Sequence, residues 1–291
     1  MARKRVGNNI SYDDKRDLYY VTLNYGVNQM GKRIKKTQTY KTKKEAKDRL
    51  VAFEAEKLQN NVVMPRSETL AEWLDYWMDN VVKINREKTT YAGYSFMIEK
   101  HIKPSLGKVK LQNLTPTMLQ SYYTMKQSEK SENGKKPLSS NTVKKHHILL
   151  KTALKFAQMQ GVIIANPADK VSPPQYVKPV ISFYKTGDIK KLFKLIETDY
   201  ILKPAVLLAG TLGLRRGEIC GLKWSNVDFD NKVIYIIDTR VRVINDIIDK
   251  KTKNITSNRK LAMSELLYEK LYEVKLQQNE MIKVKLNKVD N

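Results

Sequence analysis

The sequence predicts an α+β multidomain protein: a small β-sheet-plus-helix domain over residues 1–60, an all-α four-helix domain over 66–165, and a mixed α/β region over 178–291. Three observations predict it. Near the N-terminus two β-branched and aromatic runs flank a turn and lead into a capped helix. The middle carries four helix signals and no obvious strand, and beyond a proline-rich stretch helices and strands mix. A length of 291 residues fits two or three such units, and 41% hydrophobic content is enough for each to bury a core.

Residues 18–25 and 32–40 read as a hairpin around a turn containing Asn28 and Gly31. Thr42 stands three residues before Glu45, which is a capping box, and Ala46, Leu50, Phe53 and Leu58 follow at roughly helical spacing. The same 60 residues hold 15 Lys plus Arg against 7 Asp plus Glu, and Lys32, Arg33, Lys35 and Lys36 crowd one strand. A basic two-stranded ribbon fits a major groove. Lysines also guard exposed sheet edges, but four cations in five positions exceed that need.

Residues 60–67 form a linker, after which a second capping box, Thr69 with Glu72, opens the helical domain. Leu70, Trp73, Leu74, Trp77, Met78 and Val81 recur at i, i+3, i+4, i+7, so both tryptophans are expected in a core rather than as a base-stacking platform. Further helices are predicted from Thr89 to Ile102, stopped by Pro104; from Thr115 with Pro116 at the first helical position; and from Ser140 to Gln160, stopped by Gly161. The polar stretch 126–137 reads as a loop, and residues 166–179 as a second linker. Beyond it, helices are expected over 188–197, 204–212 and 261–285, and strands over 233–237 and 239–244.

There are 54 Lys plus Arg against 30 Asp plus Glu, a net charge of +24 spread from Arg3 to Lys288. Charge so distributed suits nucleic acid better than a membrane surface, where one amphipathic helix would carry it. The strands lack the aromatic signature of common RNA-binding modules. One cysteine, Cys220, excludes an internal disulfide, and three histidines give no zinc-type spacing, so a reducing compartment and no metal are expected. No apolar run approaches membrane-spanning length and the basic start has none behind it, which predicts a protein neither secreted nor membrane-spanning.

The densest chemical feature is the string from Gly210 through Leu214, Arg215, Arg216, Gly217 and Glu218 to Trp224 and Asp228. Such an arrangement can hold a guanidinium semi-buried, with a carboxylate orienting it and the planar fork free for two phosphate oxygens. Taken alone, it is more often a solvated helix end. Cys220 reads as small core filler. His146 and His147, mid-helix beside Lys144 and Lys145, are within reach of a phosphate, though buried neutral histidines are the commoner outcome.

The Arg215 string resembles the first catalytic arginine box of the tyrosine recombinases, the phage and transposon integrase family, and the order of the predicted domains resembles it over essentially the whole chain. Ile102 to Gly107 with Leu111 to Thr115 is similar to that family's first helix pair in its helical domain, and Ser140 to Ala168 to its last helix and exit. The resemblance implies an arm-type DNA-binding domain at 1–60, a helical, SAM-like core-binding domain at 66–165, and the N-terminal part of a catalytic domain at 178–291. It implies that Arg215 is catalytic and that Glu218 supports it. A lysine on a β-hairpin is expected from the Lys-Thr-x-x-Ser-x-Arg pattern. The resemblance implies Lys253 as the catalytic lysine, six residues before Arg259, with Lys251, which precedes a threonine as the pattern's lysine does, as the alternative.

In that family a tyrosine attacks a DNA phosphodiester, forming a 3′-phosphotyrosyl link with no metal or other cofactor. Arginine stabilises the charge that develops on the phosphoryl oxygens, and lysine protonates the departing oxygen. A His-x-x-Arg box, a later His or Trp and the tyrosine should follow the lysine. All three histidines, His101, His146 and His147, precede Arg215, and the tyrosines beyond it fall too early: Tyr235 reads as strand packing, and Tyr268 and Tyr272, four apart on a helix, as core or surface residues. The expectation is therefore a truncated or interrupted recombinase that binds DNA without recombining it, or a regulator that occupies attachment sites. DNA contacts are expected from Lys32, Arg33, Lys35, Lys36, Lys88, Thr89, Tyr94, Ser140, Thr142 and Lys145. Expected partners are core-type and arm-type attachment DNA, other copies of the chain on that DNA, and accessory DNA-bending or excisionase proteins, on the nucleoid in the cytoplasm of a bacterial host.

Overall fold

The computed structural model describes residues 3–27, 31–59, 62–128, 137–251 and 258–287. By contact the chain divides into two units, one ending at Lys178 and the other beginning at Pro179. The first contains two separate buried clusters.

The N-terminal cluster lies under an antiparallel sheet of four strands in the order β1 (Lys4–Gly7), β2 (Ile10–Asp13), β3 (Leu18–Val27) and β4 (Arg33–Tyr40). The expected hairpin is thus half of a meander. The first two strands have four residues each, too few to show alternation; Asn9 takes a left-handed position in the turn from β1 to β2, and Asp17 one in the turn from β2 to β3. Gly31 has φ +74, while Asn28 lies outside the described residues. Helix α1 (Lys43–Leu58) starts at the Thr42–Glu45 capping box and covers one sheet face, burying Ala46 and Phe53 against Ile10, Val21 and Leu23. Leu58, expected in this core, is 86% exposed: five residues past Phe53, it sits roughly 140° round the helix from it.

The second cluster is all helical. From the Thr69–Glu72 capping box, α2 (Leu70–Trp77) continues through a π turn (Met78–Val82) into α3 (Lys83–Asn85). That wide turn carries the apolar stripe one residue onward, so Val82 is buried where the spacing pointed to Val81, which is half-buried. α4 (Lys88–Met97) likewise passes through a π turn (Ile98–Ile102) into α5 (Lys103–Leu106). The helix therefore does not stop at Pro104. Proline has no N–H to donate, and it follows directly on the turn whose bonds have already slipped to i+5.

α6 (Pro116–Gln127) is capped by Thr115, and α7 (Ser140–Met159) ends before Gly161 at φ +65. Of the predicted loop between them, residues 129–136 lie outside the described residues. Trp73 donates its indole N–H to the Ala153 carbonyl at 3.0 Å and stacks on Phe156, so it is a core residue with its polar atom satisfied.

The unit beginning at Pro179 contains α8 (Thr186–Leu195), α9 (Leu202–Leu212), α10 (Arg216–Gly221), β5 (Val227–Asp228), β6 (Val233–Ile236), β7 (Asp238–Val243), β8 (Asp246–Lys251), β9 (Arg259–Ala262) and α11 (Glu265–Asn287). β5, β6 and β9 form one sheet in that order, and β7 and β8 form a hairpin. Residues 261 and 262, expected in the last helix, belong to β9: Leu261 pairs with Ile234 and Arg259 with Ile236. The helix begins only after Ser264, which accepts a bond from the Leu267 N–H. Leu207, Leu208, Leu214, Ile234, Ile236, Leu267 and Leu271 form the core. No helix among the described residues is long and apolar enough to cross a membrane.

Candidate functional site

α9 ends at Gly213, whose φ of +64 is the left-handed C-terminal turn that glycine adopts without a Cβ clash. Leu214 then buries into the core and Arg215 becomes the N-cap of α10. Two features fix this short helix: the Leu214 anchor, and Glu218 at its third position folding back on the cap.

Glu218 is 2% exposed. Its Oε2 accepts from the Arg215 backbone N–H at 2.9 Å and from Arg259 Nη2 at 2.9 Å. Its Oε1 accepts from Arg215 Nη1 at 3.1 Å and Arg259 Nη1 at 3.0 Å. Four charge-assisted or capping bonds on one carboxylate hold it ionised. The Arg259 pair, then the backbone and side-chain bonds from Arg215, pull its pKa down to about 2 against the opposing effect of burial.

The two arginines differ in their exposure. The Arg259 side chain is 30% exposed and grips both carboxylate oxygens; that of Arg215 is 77% exposed and touches the carboxylate with one nitrogen. The expected semi-buried Arg215 is therefore corrected: it is outward, steadied at its base, because its own backbone and one Nη satisfy the buried acid while Arg259 supplies the rest. Arg259 had entered the sequence reading only as the end of the lysine pattern. No local pattern signals it, because Arg259 comes to Glu218 from β9, 41 residues further along the chain.

α10 rests on the β7–β8 hairpin. A Cβ at Gly221 would meet the Thr239 and Arg240 backbone at 2.9 Å, so the helix backbone is held directly against that strand. Arg240 in turn pairs with Asp249 at 2.6 and 2.8 Å. The expected catalytic lysine, Lys253, lies outside the described residues, as does the rest of 252–257; Lys251 is the last residue of β8, paired with Asp238.

Other expectations in this unit change. Cys220 is exposed and is not core filler, since α10 turns Glu218 and Gly221 inward instead. Tyr235 is 41% exposed, on the outer face of β6 opposite buried Ile234 and Ile236. Tyr268 and Tyr272 stack on each other and both meet Phe229 edge-on, which makes them packing residues.

In the N-terminal sheet Lys32, Arg33, Lys35 and Lys36 are all exposed, but the pleat divides them. Lys35 pairs with Asn24 and shares the face turned away from α1 with Thr37 and Thr39; Lys36 pairs with buried Leu23 and belongs to the α1 side. The open face carries cations that the strand-by-strand reading missed. Arg3 lies 3.6 Å over the Tyr20 ring, and the nearby Tyr20 hydroxyl raises the pKa of Arg16. Arg5 pairs with Ser11, which in turn pairs with Tyr20.

Lys88 and Thr89 begin α4, and Ser140, Thr142 and Lys145 occupy the first turns of α7. The cap of α7 is Ser139, whose Oγ accepts from the Thr142 N–H, while Ser140 accepts from Gln127. Tyr94 stacks on Trp77 at 5.8 Å and 19°, a packing position rather than an outward one. His146 and His147 are buried and pair with the hydroxyls of Tyr122 and Tyr123 at 2.9 and 3.2 Å, inside the helical core. Among the described residues no group of three or more His, Cys, Asp or Glu is arranged to hold a metal ion.

Residues 69–126 match the family model of the phage integrase N-terminal SAM-like domain, and residues 183–288 match that of the phage integrase family, together more than half the chain. The chain belongs to the phage integrase family of tyrosine recombinases. Among its relatives in that family is the tyrosine recombinase XerC-like protein of Caldanaerobacter subterraneus subsp. tengcongensis, 29% identical over 82% of this chain and 62% of that protein. An integrase of Streptomyces ambofaciens is 24% identical over 77% of this chain and 56% of its own length, and the ICEBs1 integrase of Bacillus subtilis is 24% identical over 76% and 57%. This integrase-family chain therefore spans rather more than half the length of the curated relatives it matches. In fold it is similar to the Tn1549 transposon integrase, solved in complex with a circular intermediate DNA, with a TM-score of 0.58 at 20% identity over 70% of this chain and 63% of that one.

Proposed function

We propose that this chain serves site-specific DNA recombination by a phage or other integrative mobile element, in which DNA is cut and rejoined through a 3′-phosphotyrosyl link. The observation that carries the proposal is the Glu218 site. A buried, ionised carboxylate at a helix N-terminus steadies an arginine whose fork is turned outward, as a ligand for a scissile phosphate would be.

In this reading residues 1–60 bind arm-type DNA through the basic open face of the sheet, with Lys35, Arg33, Arg3, Arg5 and Arg16 meeting phosphates. Residues 66–165 bind core-type DNA, with Lys88, Thr89, Ser140, Thr142 and Lys145 at the starts of α4 and α7. Residues 178–291 carry the chemistry: Arg215 offsets charge on the phosphoryl oxygens, Glu218 supports it, and Lys253 donates the proton to the departing 5′ oxygen. Several copies assemble on the attachment DNA, with accessory DNA-bending or excisionase proteins. Nothing in this reaction calls for a metal or a nucleotide.

One observation favours a second reading. Tyr268 and Tyr272 are tied into an aromatic cluster with Phe229 instead of standing free to attack a phosphate. In that reading this chain alone acts as a regulator that occupies attachment sites without a covalent step. A nicked suicide substrate bearing the element's attachment site separates the two. A mobility shift with no covalent band on a denaturing gel supports the binding-only chain. A covalent band supports the recombinase with a nucleophile within this chain, and no shift at all rejects both.

A further inference from the structure

Arg259 makes two parallel bonds to Glu218 at 2.9 and 3.0 Å, from a strand 41 residues along the chain from that carboxylate. Arg215 makes one side-chain bond to the same group and keeps the remainder of its guanidinium in solvent. The geometry is asymmetric: the arginine on β9 is spent on the acid, and the arginine on the helix cap is not.

The asymmetry has an electrostatic cause. A carboxylate that is 2% exposed needs close positive charge, because water cannot stabilise it there. With Arg259 removed, Arg215 would be the one remaining cation bonded to it among the contacts described. Its fork would be drawn onto both oxygens in the bidentate manner that carboxylate and guanidinium favour. An arginine so engaged presents less of its donor set to a phosphate.

We infer that Arg259 is a positioning residue that neutralises Glu218 and thereby leaves the Arg215 guanidinium available for a DNA phosphate. The inference rests on the proposed role of Arg215 as a phosphate ligand. Arg259 is the poorer phosphate ligand of the two, since both of its terminal nitrogens are committed to Glu218.

The test counts phosphate contacts on the full chain, by the salt dependence of binding to a short mixed-sequence DNA duplex. Each phosphate contact adds about 0.9 to the steepness of log K against log salt concentration. Loss of that contact is expected to make the slope shallower by about 0.9 in Arg215→Ala. Arg259→Gln is expected to lose the same amount, and nothing further is expected when it is combined with Arg215→Ala. The pair Glu218→Gln with Arg259→Gln removes the buried charge and its partner together, and is expected to regain the wild-type slope. Arg259→Lys keeps the charge without the two-pronged grip and is expected to keep the wild-type slope, which preserves the test if Arg259→Gln does not fold.

A loss in Arg259→Gln that persists alongside Glu218→Gln would overturn the inference, because Arg259 would then be touching phosphate itself. An unchanged slope in Arg259→Gln, or an Arg259→Lys that behaves like Arg215→Ala, would overturn it equally. If Arg215→Ala leaves the slope untouched, the phosphate role of Arg215 fails first, and the inference falls with it.

Discussion

Glu218 and His146 are both closed to solvent, at 2% and 0% exposure, yet the chain uses them in opposite ways. Glu218 is kept charged by two arginines and a backbone N–H, and the bonds that satisfy it hold one of those arginines at the surface. His146 is kept neutral: burial first, then the nearby His101 and Lys126, pull its pKa down to about 4, and its Nδ1 meets the Tyr122 hydroxyl inside the helical core. Its Nε2 has no hydrogen-bond partner among the described residues. A buried ionised group supported from several elements and ending in an exposed cation is built to act outward. A buried neutral pair between α6 and α7 joins two helices inside the core.

The largest expected effect breaks the first site. Glu218→Ala leaves Arg259 part-buried without its carboxylate and removes the cap of α10, and is expected to destabilise the unit beginning at Pro179 by about 3–5 kcal/mol in denaturant unfolding. Glu218→Gln retains an acceptor for the Arg215 N–H and is expected to cost less.

Acid separates the two sites by pH. The folded pKa of each is below its unfolded value, so each contributes stability that is complete above the unfolded value and fades as pH falls towards the folded one. For His146 that window runs from 6.5 down to about 4, and for Glu218 from 4.5 down to about 2, each corresponding to about 3 kcal/mol. Unfolding followed by Trp73 and Trp77 fluorescence should weaken across the higher window. Replacing both Tyr122 and His146, as Tyr122→Phe with His146→Leu, should flatten that part of the profile and leave the lower window unchanged.

How far these sites were legible in the sequence follows the separation of their parts. The Arg215–Glu218 pair, three residues apart on one helix turn, was readable, as were both Thr-x-x-Glu capping boxes and the tryptophan stripe of α2, because each is a local geometric pattern. Arg259 was not, since it reaches Glu218 only after β6 and β9 pair, with Arg259 opposite Ile236. Leu58 and Val81 were misplaced by spacing alone: one lies beyond the end of its stripe, and the other precedes a π turn that shifts its stripe by a residue. The helix through Pro104 was hidden by the π turn just before it, Tyr235 by its place between inward Ile234 and Ile236, and Cys220 by the inward turn of Glu218 and Gly221.

Smaller effects sharpen the contrast between outward and inward residues. Tyr94, stacked on Trp77, is expected to lose about 2 kcal/mol as Tyr94→Ala, less than a fully buried aromatic, while Tyr94→Phe leaves both stability and DNA affinity unchanged. Lys35→Ala on the open sheet face is expected to change stability by less than about 0.5 kcal/mol. It should nonetheless weaken duplex binding and make its salt dependence shallower, whereas Lys36→Ala on the α1 side should change that dependence less.

The central claim is that a buried, ionised Glu218 exists to present Arg215 to a phosphate. It is tested most directly by titrating the wild type and Arg215→Ala with one DNA duplex between about 50 and 200 mM salt, with thermal melts alongside. The account predicts a melt close to that of the wild type, because Arg259 still pairs with Glu218, together with weaker binding and a slope shallower by about 0.9. Identical slopes and affinities in the two proteins would contradict it, and would leave the Arg215–Glu218–Arg259 cluster as a stabilising network alone.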